Sequence, residues 1–164
     1  MTDISESAEP SLARPIRPLS DVSPREGAET LDIHIDGASR GNPGEASFGI
    51  HVTDGQGKER ASLYGYLGRA SNNVAEYQAL IHALRWALAQ AAPRVRIFSD
   101  SELIVRQVEG RYKVKHPDMV PLHREATSLL RRFEKASLTH VRREQNREAD
   151  ELANRALDEK ASNL

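Results

Sequence analysis

The sequence predicts an α/β domain built on a mixed five-stranded sheet: three antiparallel strands, then parallel additions, flanked by helices. Three observations predict it. Apolar residues alternate along the first runs, a long helical stripe follows, and two later strand-like runs are separated by helical segments. The order β-β-β-α-β-α-α-β-α then brings the later strands back to the sheet through helical crossovers, parallel to the first.

Each element has its own warrant. "LDIHID" alternates, with Leu31, Ile33 and Ile35 on one face. "ASFGIHV" and "ERASLYGYLG" flank the turn sequence "DGQG" at Asp54–Gly57 and read as a hairpin. "NNVAEYQALIHALRWALAQAA" places Tyr77, Ile81, Leu84 and Leu88 on one helical stripe, with Ser71 or Asn72 as N-cap and Pro93 beyond its end. "RVRIFSD" is a strand, Arg94–Ser99, and "SELIVRQVEG" a helix that stops at Gly110. "RYKVKHPDM" reads as a loop and "VPLHREATSLLRRFEKA" as a helix. "SLTHVRRE" is the last strand and "NREADELANRALDEK" the last helix.

Residues 1–29 differ from the rest. They hold four of the eight prolines and six acids against three arginines, with no sustained periodicity. Such a composition does not bury enough apolar surface to offset its ordering entropy, so a disordered tail is expected there, ahead of one catalytic-sized domain over residues 30–164. Its acidity argues against an organellar transit peptide, and the N-terminus lacks the apolar segment of a signal peptide. The chain has no cysteine, which excludes disulfides, thiolate metal sites and a cysteine nucleophile. No apolar run approaches the roughly 18 residues of a membrane span. A soluble, cytoplasmic, monomeric protein is the expectation. The formal net charge of −1 excludes no partner.

Four acids stand at meaningful places. Asp36 ends the first strand, Asp100 follows the fourth, Glu76 lies near the start of the long helix, and Asp150 lies near the start of the last. Singly, each has an ordinary explanation as a cap or a partner of a helix dipole. Jointly they differ. If the first and fourth strands are parallel neighbours, Asp36 and Asp100 emerge at one carboxyl edge, where open α/β sheets bind ligands. Four gathered carboxylates raise one another's pKa values unless a cation neutralises them, and hard oxygen donors suit Mg²⁺ or Mn²⁺. Two such ions can clamp the attacking and leaving oxygens of an in-line phosphoryl displacement.

The stretches "DGASRGNPG" (36–44), "SNNVAEYQAL" (71–80), "FSDSELIV" (98–105) and "NREADELANRAL" (146–157) resemble the type I ribonuclease H family. The resemblance spans about residues 31–158. It implies the ribonuclease H-like fold and hydrolysis of the RNA strand of RNA–DNA hybrids, leaving 3′-hydroxyl and 5′-phosphate ends. It also implies Asp36, Glu76, Asp100 and Asp150 as catalytic metal ligands for two Mg²⁺ ions, with Mn²⁺ as a substitute.

On the substrate side, Gly37, Gly41 and Gly44 are expected to permit close approach to a groove that shows 2′-hydroxyls, and Asn42 to hydrogen-bond there. Ser71, Asn72 and Asn73 are expected both to cap a helix and, by resemblance, to touch the nucleic acid. Arg40 and Asn146 complete the expected contacts. Where many family members carry a mobile loop with a histidine, this chain reads "THVRREQNREAD". His140 is assigned to the strand, and Arg143 is expected to contact phosphate, since a guanidinium is no base near neutral pH. "GRYKVKH" is short where relatives carry a long basic protrusion, and Glu102 stands where many have Gln. Alternatives are a nuclease on the same scaffold for double-stranded RNA or DNA junctions, and a catalytically silent hybrid-binding module.

Overall fold

The computed structural model describes residues 30–164, and the tail expected over residues 1–29 lies outside them. The elements are β1 (Thr30–Gly41), β2 (Gly44–Thr53), β3 (Glu59–Ala70), α1 (Asn72–Ala89), β4 (Arg94–Ser99), α2 (Glu102–Val108), α3 (Val120–Leu130), β5 (Lys135–His140), a 3-10 turn (Arg143–Gln145) and α4 (Arg147–Glu159). The strands form one sheet in the order β3-β2-β1-β4-β5. β1, β2 and β3 pair antiparallel, while β4 joins β1 and β5 joins β4 in parallel. This is the mixed five-stranded sheet read from the sequence.

The two faces are covered by different helices. Phe48 of β2 stacks its ring on His82 of α1, with centroids 4.5 Å apart. Its neighbour Gly49 faces the other way, where a Cβ would lie 2.1 Å from the Ala149 carbonyl oxygen of α4. Successive strand residues point to opposite faces, so α1 covers one side of β1 and β2 and α4 the other. Leu31, Ile33 and Ile35 are fully buried in one core with Tyr77, Leu80, Ile81 and Leu84. At about 25 cal/mol per Å² of apolar surface, burial on this scale is the main term holding α1 to the sheet.

Boundaries at β1, α3 and β5 differ from the expectation for reasons of pairing. Parallel pairing of β1 with β4 stops at Ile35 opposite Ser99, yet β1 runs on to Gly41 alongside β2. Asp36 is therefore not a strand end. It is the first residue of β1 past the end of β4, where the sheet opens. α3 ends at Leu130, short of the predicted Ala136, because the N–H groups of Glu134 and Lys135 both reach the Pro93 carbonyl, at 2.8 and 3.3 Å. That contact sets Lys135 beside Arg94 and starts β5 early. β5 ends at His140 because its partner strand ends opposite it at Ser99. No helix among the described residues is long and apolar enough to cross a membrane.

Candidate active site

At the open carboxyl edge between β1 and β4 lies a cleft of about 700 Å³. Asp36, Glu76, Asp100 and Asp150 all line it. Asp36 is 5% exposed and Glu76 9%. Each of Asp36, Glu76 and Asp100 offers an oxygen, and these oxygens lie within 4.8 Å of one another. Asp150 comes from α4 on the opposite face and lies outside that group of three, though its negative charge acts on the Asp36 carboxyl.

Local rules explain how each acid arrives. Gly37 lets α1 approach β1: a Cβ there would sit 2.3 Å from the Glu76 nitrogen and 2.4 Å from the Ala75 carbonyl carbon. The Gly37 N–H in turn donates to Glu76 Oε1 at 3.0 Å. Ser71 caps α1, its hydroxyl accepting from the Val74 N–H at 3.2 Å. Ser101 caps α2, accepting from the Ile104 N–H at 3.3 Å. Asp100 is thereby relieved of the capping role it could have played, and its carboxylate belongs to the cleft.

Electrostatics follow from the crowding. Burial, then the negative charges of Glu76, Asp100 and Asp150, push the Asp36 carboxyl far above the ordinary carboxylate range. Glu76 is raised by burial and by Asp100, against the opposing pull of the Gly37 N–H. Asp100 is raised by burial, while contact with Asp36 and the charge of Arg143 act the other way. Arg143 brings a guanidinium to 4.0 Å from Asp150, yet its side chain is 81% exposed and neutralises little in water. The donor set is thus all oxygen, rich in negative charge and poor in internal counter-charge. That chemistry fits a divalent hard cation such as Mg²⁺ or Mn²⁺.

The expected substrate residues divide. Gly37, Arg40, Asn72, Asn73 and Arg143 line the cleft. Asn42 is exposed, and its Oδ1 accepts from the Asn72 N–H at 3.1 Å, tying the β1–β2 turn to the start of α1. Arg40 pairs with Asp158 of α4 at 2.7 Å across the cleft rim. Gly41 closes β1 at the exposed turn, and Ser71 is the cap of α1 already described. Gly37, besides lining the cleft, serves the packing of α1 on β1, because the atoms a Cβ would meet are the protein's own backbone. One reading changes. Asn146, expected at the substrate surface, is 0% exposed and its Nδ2 donates to the Ile35 carbonyl at 2.8 Å.

The cleft also contains residues for which the sequence suggested no role, among them Ser39, Arg142 and Asn154, together with His140. His140 is the last residue of β5, as expected of a strand residue, and it is exposed at the cleft. Asn154 lies four residues after Asp150 on α4, so helical periodicity alone points to it.

A sheet in this order, with helices on both faces and carboxylates gathered where β1 and β4 diverge, defines a ribonuclease H-like domain. A family model described as "Reverse transcriptase-like" matches residues 34–156. A bifunctional protein of Mycobacterium tuberculosis is 43% identical over 127 residues, which cover 77% of this chain and 35% of that protein. Ribonuclease HI of Halobacterium salinarum is 41% identical over 138 residues, 84% of this chain and 69% of the relative. The crystal structure of RNase H1 from Halobacterium salinarum superposes with a TM-score of 0.77, covering 79% of this chain and 98% of that one at 41% identity. LC11-RNase H1, solved in complex with an RNA/DNA hybrid, gives 0.75 at 38% identity, with 79% and 98% covered. The chain spans about a third of the mycobacterial relatives it matches. It belongs to the type I ribonuclease H family.

Proposed function

We propose that this protein is an endonuclease that hydrolyses the RNA strand of RNA–DNA hybrids. The observation that carries the reading is the meeting of Asp36, Glu76 and Asp100 oxygens within 4.8 Å, in a cleft that Asn72 and Asn73 also line. Hybrid binding by LC11-RNase H1 supports the substrate class.

Asp36, Glu76, Asp100 and Asp150 would hold Mg²⁺, as two ions, with Mn²⁺ able to substitute. When bound, the metal supplies activation of water and stabilisation of the charge that develops on phosphate, giving 3′-hydroxyl and 5′-phosphate products. The rest is the work of the chain. The Gly37 N–H holds one Glu76 oxygen and so fixes how that carboxylate faces the cleft. Asn72 and Asn73 present amides at the helix start, where side chain and backbone donors can take a strand's sugar edge and phosphate. Arg143, exposed beside Asp150, contacts phosphate without exchanging a proton. Outside the cleft, the exposed Arg111, Tyr112, Lys113 and Lys115 offer a basic surface with one aromatic face for the second strand. The protein acts as a cytoplasmic monomer in this reading.

A labelled RNA–DNA duplex incubated with Mg²⁺ tests it, with Asp36→Asn and Asp100→Asn alongside. Cleavage of the RNA strand by the wild type, lost in both variants, is the expected result. Cleavage of four-way DNA junctions or of double-stranded RNA with the hybrid left intact would overturn the substrate assignment. Hybrid binding without any cut would make the chain a binding module.

A further inference from the structure

The residue expected to touch substrate and found buried, Asn146, has a different task. It stands at the N-cap of α4, where an Asn side chain ordinarily accepts from the helix's first N–H groups. Here it makes no such cap. Its Nδ2 instead donates to the carbonyl of Ile35, 111 residues away in sequence, at 2.8 Å. Its Oδ1 is buried and has no hydrogen-bond partner among the described residues. An unpaired buried acceptor and an unused cap both cost stability, so the fold is not using this amide in the way most favourable to itself.

What the arrangement does achieve is register. Ile35 is the residue immediately before Asp36, and it is the last in β1 to pair with β4. The Asn146 carbonyl accepts the first helical bond of α4, from the Asp150 N–H at 3.1 Å. One side chain and one carbonyl of the same residue therefore link Asp36 on the sheet to Asp150 on the helix. Each link is a single hydrogen bond from a carboxylate-bearing residue or its direct neighbour. The other anchors of α4 lie further along: Ser47 Oγ donates to the Ala153 carbonyl at 2.6 Å, and Gly49 lies against Ala149.

We propose that Asn146 is a positioning residue for the metal site, setting the Asp150 carboxylate against Asp36 by pinning α4 to the Ile35 carbonyl. The inference rests on the reading that these carboxylates hold a divalent cation. Residues that orient metal ligands from outside the coordination sphere are worth about 10–100-fold in metal affinity, and Asn146 is placed to be one.

Calorimetric titration of the full chain with MgCl₂ tests this without reference to cleavage. The comparison is between wild type, Asn146→Ala and Ser47→Ala, with thermal unfolding of each measured in EDTA. Ser47→Ala removes a buried anchor of α4 that does not adjoin an acid, so it reports what loosening the helix does by itself. The expected result is Mg²⁺ binding weakened about 10–100-fold in Asn146→Ala and kept at wild-type affinity in Ser47→Ala. The Mg²⁺ concentration for half-maximal hybrid cleavage should rise in step. Wild-type affinity in Asn146→Ala, at whatever stability, would overturn the proposal, as would an equal loss in Ser47→Ala. If Asn146→Ala is unfolded at room temperature, Asn146→Ser at low temperature takes its place under the same criteria. A wild type that takes up no Mg²⁺ would instead overturn the metal reading on which the proposal rests.

Discussion

Asp36 is 5% exposed and surrounded by Glu76, Asp100 and Asp150, so its charge is poorly tolerated at the place where the proposed function requires it. Asp36→Asn keeps the shape and removes that charge. It should reduce Mg²⁺-dependent hybrid cleavage to background while making the metal-free protein more stable. Relief of a strained functional site is commonly worth about 0.5–2 kcal/mol. At about 2–4 °C per kcal/mol for a chain of this size, thermal unfolding in EDTA should show a rise of several degrees. An unchanged or lower Tm would mean that the cluster is not strained in the absence of metal. Gly37 illustrates a different constraint. Its Cβ in Gly37→Ala would collide with backbone atoms of Ala75 and Glu76, which have no rotamer to escape into. The substitution should cost about 1–3 kcal/mol in urea unfolding, and cleavage should fall because Glu76 is displaced with α1.

Among the elements, α1 was the most legible and β1 the least complete. The stripe of Tyr77, Ile81 and Leu84 and the cap at Ser71 are local signals, and both are realised. Ser71→Ala should therefore cost about 1 kcal/mol in chemical unfolding, the usual value of a lost N-cap. The carboxylates were legible too, because strand ends and helix starts converge at one edge in this topology. What the sequence could not show depends on long-range pairing. β1 continues past Asp36 because β2 is there to accept it, α3 stops early because Pro93 captures the following N–H groups, and β5 stops where β4 ends. Asn146 belongs to the same class. In sequence it is a polar residue at a helix start, expected at the substrate surface, and only the Ile35 carbonyl, 111 residues away, reveals its hydrogen bond. The packing duty of Gly37 was likewise hidden, since its crowding comes from a helix 39 residues further on.

For the molecule as a whole, the raised carboxylates make stability depend on pH and on metal together. Asp36, Glu76 and Asp100 all have folded-state pKa values above their unfolded ones. Between the ordinary carboxylate range and the raised folded values, the native state holds protons that the unfolded chain has already released. The slope of unfolding free energy with pH is then negative. This contribution to stability is fully present below the unfolded pKa values and is lost as pH rises through the folded ones. The metal-free protein should accordingly lose stability between about pH 5 and pH 8, beyond any loss seen in Asp36→Asn. A divalent cation bound to the deprotonated cluster, as proposed, would reverse the penalty, because anything that binds only the native state stabilises it by mass action. Saturation at 100 times the Kd is worth about 2.7 kcal/mol. Thermal unfolding across this pH range, with EDTA and with Mg²⁺, should therefore show two curves that lie close at acid pH and diverge as pH rises. In Asp36→Asn the gap should narrow at every pH. Parallel curves, or a gap widest at acid pH, would place the cation at a site other than these four carboxylates.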